Sequence, residues 1–71
     1  MMVQTKEPDP ILSDIEAFLA GTGMAASRFG MLALGDPRFV RDLRDGREVK
    51  RATRERLVGF MREWRAKGRG T

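Results

Sequence analysis

The sequence predicts a small all-α domain, a bundle of four or at most five helices. Three observations support this fold class. Apolar residues recur at spacings of three and four, the period of a helix with one buried face. Asp-Pro and Gly-containing steps divide these stretches where helices usually start and stop. None of the 71 residues falls in a stretch that alternates apolar and polar positions as a half-buried strand does.

The first helix is predicted over about residues 10–20. Asp9 can cap it, and Pro10 suits the first helical position, where a missing N–H costs nothing. Gly21-Thr22-Gly23 ends it. One apolar stripe along this helix faces the core and consists of Ile11, Leu12, Ile15, Phe18 and Leu19.

A second helix is predicted over about residues 25–34, with Met24, Phe29, Leu32 and Ala33 facing inward. Gly30 lies inside it, where Gly is less favourable than Ala by about 1 kcal/mol in an exposed helix. A glycine at such a position indicates the close approach of another backbone. The Gly35-Asp36-Pro37 step then ends this helix and begins the next with the same Asp-Pro device.

The third helix is short, from Pro37 to Asp45, and Gly46 ends it. Its two faces differ sharply in polarity. Phe39, Val40 and Leu43 form the apolar side, and the opposite polar stripe consists of Arg38, Arg41, Asp42 and Asp45.

The fourth helix is predicted from about residue 52 to residue 66, after a basic stretch over residues 47–51. Residues 1–9 and 67–71 are assigned to a flexible N-terminal tail and a basic C-terminal tail, which leaves one domain over residues 10–66. The helix buries some of its large apolar side chains, which are Leu57, Val58, Phe60, Met61 and Trp64.

Composition excludes several functional classes. The chain has no Cys, so it has no disulfide framework and no thiolate zinc site. It has no His, the commonest metal ligand and general base, and nothing that would activate Ser13 or Ser27 as a nucleophile. The longest apolar runs are four residues, too short to span a membrane. We therefore expect a soluble cytoplasmic protein that is not an enzyme and needs no cofactor or metal.

Charge is distributed unevenly along the chain. Residues 1–27 carry one cation and four anions, a net of −3, whereas residues 28–71 carry 13 cations and six anions, a net of +7. Eleven of the 14 cations are Arg, which suits bidentate contacts with phosphate and guanine, although a GC-rich genome would also favour Arg codons. This asymmetry favours a basic face directed at a polyanion.

Two short helices joined by a tight Gly-containing turn, the second with a polar outer stripe, form the pattern of a helix-turn-helix. The first helix has a large apolar residue, then a small one, then an apolar residue four positions after the first: Phe29, Gly30 and Ala33. Eleven residues after Phe29 come an aliphatic residue, an apolar residue and a terminal glycine: Val40, Leu43 and Gly46. With these features, residues 24–46 resemble the helix-turn-helix of the phage lambda repressor and Cro (XRE-type) family of bacterial DNA-binding regulators.

The resemblance implies a sequence-specific regulator of transcription that binds double-stranded DNA with residues 37–45 in the major groove. It implies that Gly30 is where the two helices approach most closely. Base-reading residues would be Arg38, Arg41 and Asp42. Phosphate contacts would come from the residues around and after the recognition helix: Arg28, Arg47, Lys50, Arg51 and Arg54.

Several alternatives stay open at this stage. Arg38–Asp42 and Arg41–Asp45 have the spacing of ion pairs that merely stabilise a solvated helix. Trp64 could be a core residue or, with Phe60 and Met61, part of an interface between two copies of the chain.

Two other functions are also compatible with the sequence. Ala25 and Ala26 stand where the family usually has a capping residue and a phosphate-contacting Gln, which favours a protein-interaction module. Its partner would be RNA polymerase, another regulator or a toxin. The net charge of residues 28–71 also permits non-specific binding of nucleic acid.

Overall fold

The computed structural model describes residues 9–68, which contain four α-helices and no strand. They are α1 (Ile11–Thr22), α2 (Ala26–Leu34), α3 (Phe39–Arg44) and α4 (Arg51–Gly68). The predicted all-α class is confirmed with four helices. Each predicted helix has a counterpart, but α3 is six residues long and α4 continues to Gly68. Most of both predicted tails, residues 1–8 and 69–71, lies outside the described residues.

The helices begin and end near the predicted signals, but α1 begins at Ile11 and α3 at Phe39, after the prolines predicted as their first residues. A side-chain oxygen of Asp9 accepts the N–H of Ile11 at 3.0 Å, and one of Asp36 accepts the N–H of Arg38 at 3.0 Å. Each aspartate thus satisfies a backbone donor that has no partner within the helix. Helices α1 and α2 are C-capped by Gly23 and Gly35, with φ of 74° and 73°, and Gly46, with φ of 103°, follows Asp45 at the end of α3.

The core receives side chains from all four helices. The apolar stripes predicted for α1 and α3 are buried, apart from a half-buried Leu12. The prediction for Leu32 is wrong, since its side chain is exposed. The buried face of α2 is narrow and consists of Phe29, Gly30 and Ala33. Val49 is buried although it stands in a basic stretch without periodicity.

An aromatic cluster joins α4 to α1 and α2. Phe18 and Phe29 have ring centroids 5.5 Å apart, and Phe60 lies 6.1 Å from the first and 5.4 Å from the second. Trp64 packs edge-on against Phe18 at 6.4 Å. Edge-to-face pairs of this kind add stability beyond the burial of the rings. The cluster therefore fixes α4 across the other two helices.

Gly30 lies against the turn that joins α2 to α3. A Cβ at this position would come within 2.2 Å of the carbonyl oxygen of Asp36, and the Asp36 N–H donates to the Gly30 carbonyl at 3.1 Å. The predicted close approach of a second backbone is confirmed. Gly30 therefore sets how closely α3 follows α2.

Within residues 9–68, no single helix is both long and apolar enough to cross a membrane. Only α1 and α2 taken together have the length and apolar composition of a span, and a bend of 113° separates them.

Candidate nucleic-acid interface

Helix α3 presents one buried face and one solvent face. Phe39, Val40 and Leu43 are buried almost completely and hold the helix against the core. Arg38 and Arg41 project from the opposite side and are exposed. The apolar and polar faces therefore lie as their spacing predicts, on a helix that begins after the Asp36 cap.

Of the eight predicted contact residues, Arg47 is exposed but paired, and five others are exposed cations without a partner in the described residues. Their side chains make no ion pair or hydrogen bond within residues 9–68, so their charge is available to an external anion. Two lie on or next to α3, one on α2 and two where the chain enters α4: Arg38, Arg41, Arg28, Lys50 and Arg51.

Three neighbours contact the guanidinium of Arg47. Its Nη1 atom lies 3.3 Å from Asp36 Oδ2 and 3.4 Å from Asp42 Oδ2, and its guanidinium carbon is 5.1 Å from the centre of the Phe39 ring. Gly46 reverses the chain so that the Arg47 N–H donates to the Asp42 carbonyl at 3.0 Å. We call Arg47 and these three neighbours the Arg47 clamp.

Arg54 contacts the start of α1. Its Nη2 atom pairs with Asp9 Oδ2 and also donates to the Val49 carbonyl at 3.4 Å. The N–H of Ile11 has the largest effect on the pKa of Asp9 and lowers it; burial opposes this, and the Arg54 guanidinium lowers the pKa further. Of the predicted phosphate ligands, Arg54 is therefore the one most committed to a partner within the chain.

The ion pairs predicted within α3 do not form. Asp42 pairs with Arg47 and not with Arg38, and Asp45 has no ion pair within the described residues. The physical reason is the shortness of α3, whose last helical residue is Arg44. The chain reverses after α3, so that Arg47 lies closer to Asp42 than Arg38 does.

Arg44 connects α3 to α1. Its Nε and Nη2 atoms each donate to a carboxylate oxygen of Glu16 at 2.8 Å. This bidentate pair lowers the pKa of Glu16 and raises that of Arg44. Sequence reasoning missed it, because the two residues are 28 positions apart and no spacing rule within one helix relates them.

The residues predicted for a dimer interface differ in exposure. Met61 is buried in the core and Phe60 is half-buried in the aromatic cluster. Trp64 keeps 36% of its surface exposed while it packs on Phe18 and Phe60. Of the three, Trp64 offers most of the surface that a second copy could contact.

A shallow cleft of about 400 Å³ separates α1 from the C-terminal half of α4. Its walls include Asp14 on α1 and Arg62 and Arg65 on α4. Arg65 lies over the Phe18 ring, with its guanidinium carbon 5.6 Å from the ring centre. Within residues 9–68, no three acidic side chains come together to form a metal site.

Comparisons with known proteins give no relative for this chain. No family model, no curated protein and no solved structure matches it significantly. The geometry and charge of the residues described above are therefore the observations that bear on its function.

Proposed function

We propose that the chain is a sequence-specific DNA-binding regulator of the lambda-repressor type, in which α2 and α3 form the helix-turn-helix. The observation that carries the proposal is the solvent face of α3, where Arg38 and Arg41 are exposed and unpaired within residues 9–68. Arginine at such positions suits bidentate contact with guanine.

The size of α3 fits this role. Six helical residues span about 9 Å at 1.5 Å per residue, and a helix of ordinary diameter enters the major groove, about 12 Å wide. Base readout would fall to Arg38 and Arg41. Phosphate contacts would fall to Arg28 before the turn and to Arg47, Lys50 and Arg51 after α3.

The first experiment is a selection from random duplex DNA, carried out at two salt concentrations. A sequence motif supports the proposal. Salt-sensitive binding without a motif would instead indicate attraction by charge alone, and no binding at either concentration would remove DNA from consideration.

Within the DNA-binding proposal, Arg38→Ala should cost about 1–3 kcal/mol of binding and relax preference at particular base pairs. Lys50→Ala should weaken binding to all sequences alike and reduce the salt slope. Arg62→Ala, on the cleft between α1 and α4, removes the same charge away from α3 and is the matched control. Identical behaviour of Arg38→Ala and Lys50→Ala would contradict the groove assignment.

A protein-interaction module is the second candidate. Two observations favour it: Ala25, the N-cap of α2, provides no side-chain cap, and Met31 and Leu32 are about half exposed on the surface of the helix. Exposed apolar side chains of this size suit a protein partner more than a phosphate backbone. If the selection with the wild-type protein recovers no duplex, the protein-interaction function of this surface is favoured instead.

A further inference from the structure

The Arg47 clamp holds one edge of a guanidinium and leaves another edge open. Both carboxylates approach the same nitrogen, Nη1, and the Phe39 ring supports the plane of the group. No hydrogen bond or ion pair occupies Nε or Nη2 of Arg47 within the described residues. Because Nε and Nη2 lie side by side, they can donate together to two oxygens of one phosphate.

The Arg47 clamp orients the guanidinium, but its ion pairs are weak. Its two Nη1 distances exceed the 2.7–2.9 Å of strong charge-assisted hydrogen bonds, and the side chains of Arg47, Asp36 and Asp42 are 44%, 37% and 44% exposed. Exposed ion pairs of this kind each contribute little to the free energy of folding. A phosphate can therefore take the open edge without first breaking a strong internal pair.

We propose that Arg47 is a phosphate-binding residue already oriented in the free protein, and that Asp36 and Asp42 are the positioning residues that orient it. Asp42 then reads no base, because its carboxylate is used on Arg47. This inference rests on the proposed DNA-binding function and assigns one phosphodiester contact to Arg47, oriented by two carboxylates.

Two structural features give the arrangement a purpose beyond local stability. Asp36 uses Oδ1 to cap α3 and Oδ2 to contact Arg47, so the start of the helix and the guanidinium share one side chain. Phe39 and Asp42 belong to α3 itself. Arg47 therefore moves with α3, and its contact with a phosphate would set the register of α3 along the groove.

The main test compares Asp42→Asn with Asp45→Asn. Both raise the net charge by one, but Asp45 makes no ion pair within residues 9–68, so it serves as the matched control. Duplex affinity and base preference are measured by titration and selection. We expect Asp42→Asn to bind about twofold to fivefold more weakly than Asp45→Asn, with base preference unchanged.

Asp36→Asn should weaken binding in the same way, because Asn still caps the helix but carries no charge. A second comparison uses double variants: Asp42→Asn combined with Arg47→Ala should bind like Asp45→Asn combined with Arg47→Ala, since the net charges are equal and a positioning residue acts only through Arg47. A changed preference at one base pair in Asp42→Asn would show that Asp42 reads a base. Affinity equal to or above that of Asp45→Asn would show that Asp42 does not position Arg47. Either result overturns the inference.

A measurement on the free protein separates the two proposals. Nitrogen NMR should show slowed rotation of the Arg47 guanidinium in the wild type and faster rotation in Asp42→Asn. Equal rotation in both overturns the clamp even if DNA is bound. A slow guanidinium in a wild-type protein that binds no duplex would overturn the proposed function, and the phosphate role with it, while the clamp itself stands.

Discussion

The two Asp-Pro steps of this chain make the same local structure in different surroundings. Asp9 and Asp36 each accept, at 3.0 Å, a hydrogen bond from the N–H of the residue two positions later. The second carboxylate oxygen of each pairs with an arginine from a later segment. Asp9 is 13% exposed and pairs with Arg54, a residue of the first turn of α4 that is 40% exposed. Asp36 is 37% exposed and its arginine contacts two carboxylates loosely.

The difference teaches how one sequence signal can serve stability in one place and recognition in another. The first pair connects the start of α1 to α4, and its arginine also donates to the Val49 carbonyl. An exposed pair at the start of α3 orients a guanidinium and leaves one of its edges open. Arg54 and Arg47 are both predicted from sequence as phosphate ligands, and only their surroundings distinguish them.

The largest expected effect comes from disturbing the backbone behind the second Asp-Pro step. Gly30→Ala places a Cβ within 2.2 Å of the Asp36 carbonyl oxygen, a backbone atom, so the turn must shift. We expect a loss of about 1–3 kcal/mol in the free energy of unfolding, at the upper end of that range. Urea denaturation followed by circular dichroism measures it.

Gly59→Ala is the matched control for this substitution. Gly59 lies inside α4, and a Cβ there would meet no atom within 4 Å. Alanine should therefore raise stability by about 0.4–1 kcal/mol, because it lowers the entropy of the unfolded chain. Equal destabilisation by both substitutions would contradict the packing assigned to Gly30.

The second prediction compares alanine substitutions of the two arginines. Arg47→Ala should reduce the slope of log affinity against log salt by about 1, because one phosphate contact is lost, whereas Arg54→Ala should leave it almost unchanged. Thermal unfolding should give the opposite order, since Arg54→Ala leaves the sheltered Asp9 carboxylate without its partner. Equal salt slopes for the two variants would remove the distinction between the two Asp-Pro steps.

The smallest effect is expected in acid. The pKa of Asp9 is lowered from its ordinary value of 3.8, and that of Glu16 from 4.5, so folding favours the ionised form of both. Their contribution is complete above these ordinary values and is lost as the pH falls through the lowered pKa values.

Asp9→Asn should therefore flatten part of the loss of stability below pH 3.8, and Glu16→Gln part of the loss below pH 4.5. Asn keeps a cap at position 9, so the change in slope reports the charge and not the helix start. Urea unfolding across this pH range checks both. A profile for Asp9→Asn that runs parallel to the wild type would contradict the assigned pairing.

Much of the fold could be predicted from local patterns. The buried faces of α1 and α3 follow from their spacing, and the close approach at Gly30 was anticipated from a glycine inside a helix. Leu32 and Val49 could not be assigned correctly, since the width of a buried face depends on which helices lie against it. Spacing within one helix carries no such information.

The candidate site was predictable as a set of residue types but not as a set of contacts. Arg38 and Arg41 lie on the exposed side of α3 as their spacing requires. The partners of Arg44, Arg47 and Arg54 depend on approaches across turns or between helices. A period of 3.6 residues relates neighbours on one helix only.

The sequence by itself determined four helices, their start and stop signals, two apolar faces and an excess of cations after residue 28. Only the tertiary structure decided which cations are paired. Asp9 and Arg54 are 45 positions apart, and Gly46 turns Arg47 back onto Asp42. The physical reason is that capping and helix periodicity are short-range properties of the backbone. Ion pairs form instead between whichever charges the packed core brings within about 4 Å.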